Sequence, residues 1–248
     1  MTKSQATLMA KLVSIVIPAY NEEKNISKTL KSLAKQDIKS PYEIIVVDNA
    51  STDKTPDIAK SFAKKINIKV IKELHKSRGT ARATGMAKAR GEILFCADAD
   101  TVYPSNWLST GVKYFDNPKT VGITGPWHAF GVSSEIKKRI EKYQELGSVI
   151  PAKIFLGSIW LTGFNMAIRS TAYKKCGGFN PKINAYEDVD ISLRLKKFGK
   201  LVYAKDFIAK TSARRFKKGM IKTMWEYDKL VLQKMFLGDK GVKLSDTR

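Results

Sequence analysis

Cysteine is close to absent from this 248-residue chain: Cys96 and Cys176 are the only two, with no CxxC spacing. That disfavours a secreted fold stapled by disulfides and points to a reducing, cytoplasmic setting. Histidine is equally scarce, and His75 and His128 stand too far apart to suggest a ligand pair. No apolar run approaches the ~18 residues needed to span a bilayer. The run at 12–19 is short, is interrupted by Ser14 and lacks a convincing cleavage site, so it reads as a strand rather than a signal peptide. Two common nucleotide signatures are missing as well. No GxGxxG follows a strand and no GxxxxGK[ST] loop occurs, which disfavours a dinucleotide oxidoreductase and a P-loop ATPase. Acids are outnumbered, with 23 Asp and Glu against 45 Lys and Arg, for a formal charge of +22. Such an excess favours anionic partners: nucleic acid, anionic lipid or diphosphate-bearing substrates.

What remains describes a globular protein, 43% hydrophobic and long enough to bury a sizeable core. Short β-branched runs alternate with helical stretches through the first half. Strands are expected at 13–17, 42–48, 68–72, 92–97 and 121–124. Between them helices are expected from an Asn21 cap to about Gln36, then at 53–65, 80–89 and 104–115. Alternating βα units of this length imply a parallel sheet covered on both faces. The second half is less regular, with helices over 134–146 and 189–198 and strands over 163–168 and 201–204. A last helix over 219–237 carries Met220, Met224, Tyr227, Val231 and Met235 on one broad apolar face.

Two apolar runs end in carboxylates, Val46-Val47-Asp48 and Phe95-Cys96-Ala97-Asp98-Ala99-Asp100, and a further acidic cluster, Glu187-Asp188-Val189-Asp190, opens a helix. In an open α/β sheet, ligands bind beyond the carboxyl ends of the strands. Acids gathered there repel one another unless a cation, a bound sugar or a shared proton relieves them. Within so basic a chain, converging acids read as a built site. Carboxylates at i and i+2 leaving a strand can divide tasks, one toward a ribose or base and one toward Mg²⁺ or Mn²⁺, which take oxygen ligands.

Seven segments, in order, carry a family resemblance. They are Ser14-Ile15-Val16-Ile17-Pro18-Ala19-Tyr20-Asn21-Glu22, Val46-Val47-Asp48-Asn49-Ala50-Ser51-Thr52-Asp53, Arg78-Gly79-Thr80-Ala81-Arg82, Asp98-Ala99-Asp100, Gly163-Phe164-Asn165-Met166-Ala167-Ile168-Arg169, Cys176-Gly177-Gly178-Phe179 and Glu187-Asp188-Val189-Asp190. With them the chain resembles the family 2 glycosyltransferases of the GT-A fold, over about residues 13–204. The resemblance implies an α/β GT-A (Rossmann-like) fold with a mixed, mostly parallel central sheet. It also implies a metal-dependent, inverting transfer of a hexose from a UDP- or GDP-linked sugar, with Mg²⁺ or Mn²⁺ as cofactor. One domain is expected, with a nucleotide-sugar-binding half at 12–125, an acceptor and catalytic half at 126–212 and a basic helical tail at 213–248.

Position by position, the resemblance puts Pro18, Ala19, Tyr20 and Glu22 around the base and ribose, with Asp48 gripping either. Arg78 would meet the nucleotide or its phosphates, and Asp98 the ribose side. Asp100, with Asp98, would hold the cation. Asp188 would be the general base, with Glu187 beside it on the donor side. Gly163, Phe164 and Asn165 would line the sugar and acceptor cleft. Arg214 and Arg215, in a loop after the acidic site, are assigned to phosphate, on the donor or on an acceptor, because guanidinium forks suit such oxyanions.

Processive synthases of this family carry a QxxRW motif and membrane-spanning helices. Neither occurs here, which disfavours polymer synthesis and export. The acceptor is expected to be a polyprenyl or dolichyl phosphate, a lipid-linked glycan or another saccharide. The terminal helix, with Lys218, Lys222, Trp225, Lys229 and Lys234, either rests on an anionic membrane surface or packs on the body or a second subunit. A nucleic-acid-binding module is the competing class. It requires basic and aromatic residues concentrated on one element, whereas these lysines are spread over almost every helix.

Overall fold

The computed structural model describes residues 12–183 and 186–214. Arg215 and the helix expected over 219–237 lie outside the described residues. The strands are β1 (Val13–Ala19), β2 (Tyr42–Asp48), β3 (Ile68–Lys72), β4 (Ile93–Ala97), β5 (Thr101–Val102), β6 (Thr120–Thr124), β7 (Trp127–Phe130), β8 (Asn165–Arg169), β9 (Lys200–Tyr203) and β10 (Ala209–Ser212). The α-helices are α1 (Ile26–Leu33), α2 (Thr55–Ser61), α3 (Arg78–Lys88), α4 (Trp107–Lys113), α5 (Ser134–Tyr143), α6 (Ile150–Leu156), α7 (Ser170–Lys175) and α8 (Glu187–Leu195).

Seven strands form one twisted sheet in the order β3-β2-β1-β4-β8-β6-β9. It is parallel throughout except at β8, which runs antiparallel to both β4 and β6. The uninterrupted apolar run of β1 follows from burial on both faces. Ile15 and Ile17 pack with Ile26 and Leu30 of α1 and with Trp107 beyond them, while Val16 faces Ala81 and Met86 of α3 and Ile191 of α8. Because β1, β2 and β4 are parallel, Ala19, Asp48 and Ala97 end on one edge of the sheet. The reversal of β8 sets Asn165 opposite Ala97, so the residues before β8 lie beside those after β4.

A second sheet, β5-β10-β7, has no counterpart among the sequence expectations. Its strands are two to four residues long, too short for a period to show. Two helices also differ from expectation. The first starts at Ile26 rather than after Asn21, because Asn21 adopts a left-handed φ of 52° and its Oδ1 accepts the Thr52 N–H. The 134–146 helix continues through a π-helical turn, Gln144–Val149, into α6. There the Gln144 amide brackets the backbone of Trp127, accepting from its N–H at 3.0 Å and donating to its carbonyl at 2.8 Å.

Helix α3 lies close on the sheet because position 85 is glycine. A Cβ there would stand 2.3 Å from Val16 Cγ1 and 2.8 Å from Val47 Cγ2, both in the core. Gly85→Ala should therefore cost about 1–3 kcal/mol through overpacking. The expected readout is a lower urea midpoint with an unchanged m-value.

Candidate active site

The loops that leave β1 and β2 are stitched together. Asn21 N–H donates to Ser51 Oγ, Glu22 N–H to Thr55 Oγ1 at 2.7 Å, and Glu23 N–H to Asp53 Oδ2. Asp48 closes β2 with its Oδ1 accepting the Ser51 N–H at 3.1 Å, across a turn in which Ala50 has φ 60°. Asn49 ties this edge to the chain entering α3, donating to the carbonyls of Glu73 and His75 and accepting from Ser77 N–H. Pro18 and Ala19 finish β1. Tyr20 follows, its hydroxyl 3.2 Å from Lys76 Nζ and its ring under the same ammonium. Ser77 caps α3 with its Oγ toward Thr80 N–H, so Arg78 stands in the first turn.

The centre of the site is Arg82, whose side chain is 2% exposed. Its Nη2 donates to Asp98 Oδ1 at 2.8 Å and its Nη1 pairs with Glu187 Oε1. Gly163 lies flat against the guanidinium; a Cβ there would stand 2.7 Å from both terminal nitrogens. Arg82 Nε and Glu187 Oε2 are buried without a hydrogen-bond partner among the described residues. One ion thus joins the end of β4 to the start of α8. Tyr103 adds a second link: its hydroxyl accepts the Asp98 N–H at 3.0 Å and donates to the Phe164 carbonyl at 2.9 Å. Burial and the nearby Asp98 push the Tyr103 phenol well above its ordinary range, so it stays a donor.

Asp188 enters from the first turn of α8, where Glu187, Asp188 and Asp190 face the positive end of the helix dipole. Its Oδ2 accepts the Gly163 N–H at 3.0 Å and its Oδ1 its neighbour Val189's N–H at 2.9 Å. Withdrawal from water, and then the Glu187 charge, push the Asp188 carboxyl up to about 6, against the opposing pull of Arg82, the Gly163 N–H and Arg78. The far end of α8 is held by Arg194, which pairs with Asp190 and donates to the carbonyls of Cys176 and Gly178. In that turn Gly177 and Gly178 have φ of 82° and 67°, a left-handed pair that suits glycine.

Asp100 sits beside a second guanidinium. Arg214 Nη2 is 3.0 Å from Asp100 Oδ2, and Arg214 also grips Glu22, with Nη1 3.0 Å from Oε2 and Nη2 on Oε1. Glu22 is buried and pairs with Arg214 rather than standing open as a pocket wall. Asn165 also departs from the sequence reading. It is fully buried, its Nδ2 donating to the carbonyls of Gly125, Pro126 and Phe207 and its Oδ1 accepting from Trp107 Nε1 at 2.8 Å. It stitches β8 to the chain after β6 and does not face a cleft. Phe164 is half-buried, edge-on to Trp127 at 5.6 Å. Cys96 is buried and its thiol pushed up to about 12 by burial, an inert group.

The structure therefore brings Asp98, Glu187 and Asp188 around Arg82, sets Asp100 with Glu22 around Arg214, and leaves Asp48 on the same sheet edge. Arg82 and Tyr103 received no role from the sequence. Only the fixed place of Arg82 four residues after Arg78, one helical turn on, hints that both face one site.

A family model described as "Glycosyl transferase family 2" matches residues 14–177. The chain is 29% identical over 243 residues to the glycosyltransferase AglE of Haloferax volcanii, covering 90% of this chain and 77% of that protein. It is 32% identical over 139 residues to the dolichyl N-acetyl-alpha-D-glucosaminyl phosphate 3-beta-D-2,3-diacetamido-2,3-dideoxy-beta-D-glucuronosyltransferase of Methanococcus voltae, covering 52% of this chain and 43% of that one. Among solved structures, the mannosyltransferase PcManGT of Pyrobaculum calidifontis, in complex with GDP-Man and Mn²⁺, superimposes with a TM-score of 0.72 at 20% identity. That match covers 93% of this chain and 65% of the other. The chain thus spans under two thirds of the last two proteins. At 20% identity the likeness is one of fold, a mixed α/β GT-A architecture.

Removing one partner of a buried ion pair leaves an uncompensated charge and typically costs about 3–5 kcal/mol. Arg82→Met should destabilise the protein by that order in urea unfolding. A loss under about 1 kcal/mol would show that the bridge between β4 and α8 is dispensable.

Proposed function

This chain belongs to glycosyl transferase family 2, and from that premise we propose that it moves a hexose, with inversion, from a UDP- or GDP-linked sugar to an acceptor, assisted by Mg²⁺ or Mn²⁺. The observation that carries the reading is the shared guanidinium of Arg82, which draws Asp98 and the Glu187-Asp188 pair to one place. On this reading Pro18, Ala19, Tyr20 and Asp48 bound the nucleoside. Arg78, half-buried at the first turn of α3, faces the phosphates.

The residues present fit a divalent cation of the hard, oxygen-loving kind. Asp100 already faces a positive charge, the Arg214 guanidinium, 3.0 Å away. No group of three or more His, Cys, Asp or Glu able to hold a metal occurs among the described residues. A site of one or two carboxylates completed by substrate phosphates is the usual Mg²⁺ arrangement. Asp100 would hold the ion, with Asp98 beside it. When bound, the ion supplies Lewis-acid neutralisation of the departing diphosphate.

Asp188 takes the proton of an incoming hydroxyl. It is anchored by the Gly163 and Val189 N–H groups, which fix its orientation. A carboxyl near 6 is ionised at neutral pH yet a better proton acceptor than an ordinary aspartate. Where the acceptor is instead a phosphate, already ionised, Asp188 orients it. A lipid phosphate or lipid-linked glycan is the acceptor class we favour. The relative from Methanococcus voltae is named for a dolichyl phosphate substrate, and a charge of +22 suits an anionic surface. No helix among the described residues is long and apolar enough to cross a membrane.

Thermal shift tests the donor half of this reading. UDP or GDP with Mn²⁺ should raise the melting temperature, and Asp100→Ala should abolish the rise. Equal stabilisation by random oligonucleotides, with no nucleotide effect, would favour nucleic-acid binding. The chemistry is tested by pH. Protonation disables Asp188 below its pKa, so kcat/KM with a hydroxyl acceptor should fall about tenfold per pH unit below about 6. Asp188→Asn should lower turnover by about 10²–10⁴ and erase that acid limb, with nucleotide affinity nearly intact. An unchanged rate would remove Asp188 from the reaction.

A further inference from the structure

We propose that Arg214 is a place-holding cation. Its guanidinium neutralises Asp100 and Glu22 in the ligand-free protein, gives up Asp100 when a divalent ion binds there, and turns to the diphosphate of the donor. This rests on the reading above that Asp100 meets a metal ion, and adds to it a competition between that ion and a residue of this chain.

The two buried-site arginines differ in kind. Arg82 is 2% exposed, enclosed by Gly163 and two acids. Arg214 reaches in from solvent with its side chain 43% exposed, while the carboxylates it covers, Glu22 and Asp100, are each 10% exposed. The strand that leads to it is fixed beside Asp100. The Ser212 N–H donates to the Asp100 carbonyl at 3.2 Å, and the Thr101 and Thr211 hydroxyls bond at 2.9 Å where β5 meets β10. The exchange asks only the exposed Arg214 side chain, two residues past the end of β10, to move. Glu22 is held independently, accepting from Asn25 Nδ2 at 2.8 Å.

Arg214 Nη2 lies within hydrogen-bond distance of Asp100 Oδ2, the space a cation on that oxygen requires. Two positive groups cannot share it without strong repulsion. A donor diphosphate resolves the conflict by offering the guanidinium fork a new pair of oxygens. Metal and nucleotide then bind cooperatively, because each removes a cost of the other. In the absence of nucleotide, the divalent ion must displace Arg214 with no compensation.

Mn²⁺ binding to the full chain is measured from the free-ion EPR signal, with no nucleotide, with UDP and with GDP. In the wild type, Mn²⁺ alone should bind weakly and the effective nucleotide should tighten it. Arg214→Met should tighten binding of Mn²⁺ alone about tenfold and shrink the nucleotide effect, whereas Arg214→Lys, which keeps the charge but loses the fork, should fall between Arg214→Met and the wild type. Melting curves without ligand establish that both variants are folded. Unchanged or weaker Mn²⁺ binding in Arg214→Met, with Asp100→Asn still abolishing binding, overturns the exchange and leaves the metal reading standing. Full Mn²⁺ binding by Asp100→Asn in the presence of nucleotide overturns the metal reading, and this proposal with it.

Discussion

A buried guanidinium tolerates no half-measures: stripped of water, Arg82 is stable only while both of its carboxylates stay in place. Asp98 ends a strand and Glu187 begins a helix, so satisfying one ion fixes the relation between two elements distant in the chain. Arginine suits this post because its planar fork can serve two acids at once and its charge cannot be removed by proton loss. The enclosing geometry is as exacting. Gly163 leaves room for the guanidinium where any side chain would collide, and its N–H then serves Asp188. The cation, the glycine and the candidate base are therefore one unit, and displacing any of them moves the others.

That unit depends on the direction of a single strand. In an all-parallel sheet, the segment before a strand lies at the amino edge, away from the ligand crevice. Strand β8 runs antiparallel, so Gly163 and Phe164 arrive at the carboxyl edge beside Asp98. Tyr103 makes use of the proximity, bonding to both the Asp98 N–H and the Phe164 carbonyl. Asn165 then locks the reversal by spending its amide on three backbone carbonyls. Its burial is the consequence of carrying the turn.

These contacts mark the limit of what the chain alone discloses. The central strands were legible because burial on both faces leaves an unbroken apolar run, and the acids were legible because they close those runs. Arg82 was not, since a basic residue in a helix ordinarily means a solvated face, and no local pattern reveals that two acids are waiting for it. The sheet of β5, β7 and β10 was invisible for a related reason: its strands are defined by partners far away in the chain, Ala209 opposite Trp127 and Thr211 opposite Thr101, with too few residues to carry a period. Asn165 resembled a cleft residue in sequence, but its amide is taken up by three backbone carbonyls and the Trp107 indole. Asn21 looked like a helix cap but instead accepts from Thr52 across the loop.

The arrangement also explains why so basic a chain concentrates acids in one cleft. Like charges at close range disfavour their own ionisation unless cations intervene. Here the cations fall into two classes. Arg82 is sealed in and sets geometry, so its charge is spent on the fold whether or not a ligand is present. Arg214 follows β10 by two residues and its side chain is open to solvent, so on the proposed exchange its charge is redirected. The proposed donor, a diphosphate carrying a divalent ion, calls for both kinds. With fixed cations alone the carboxylates would be permanently neutralised and closed to metal; with none, the acids would repel the donor before it docked.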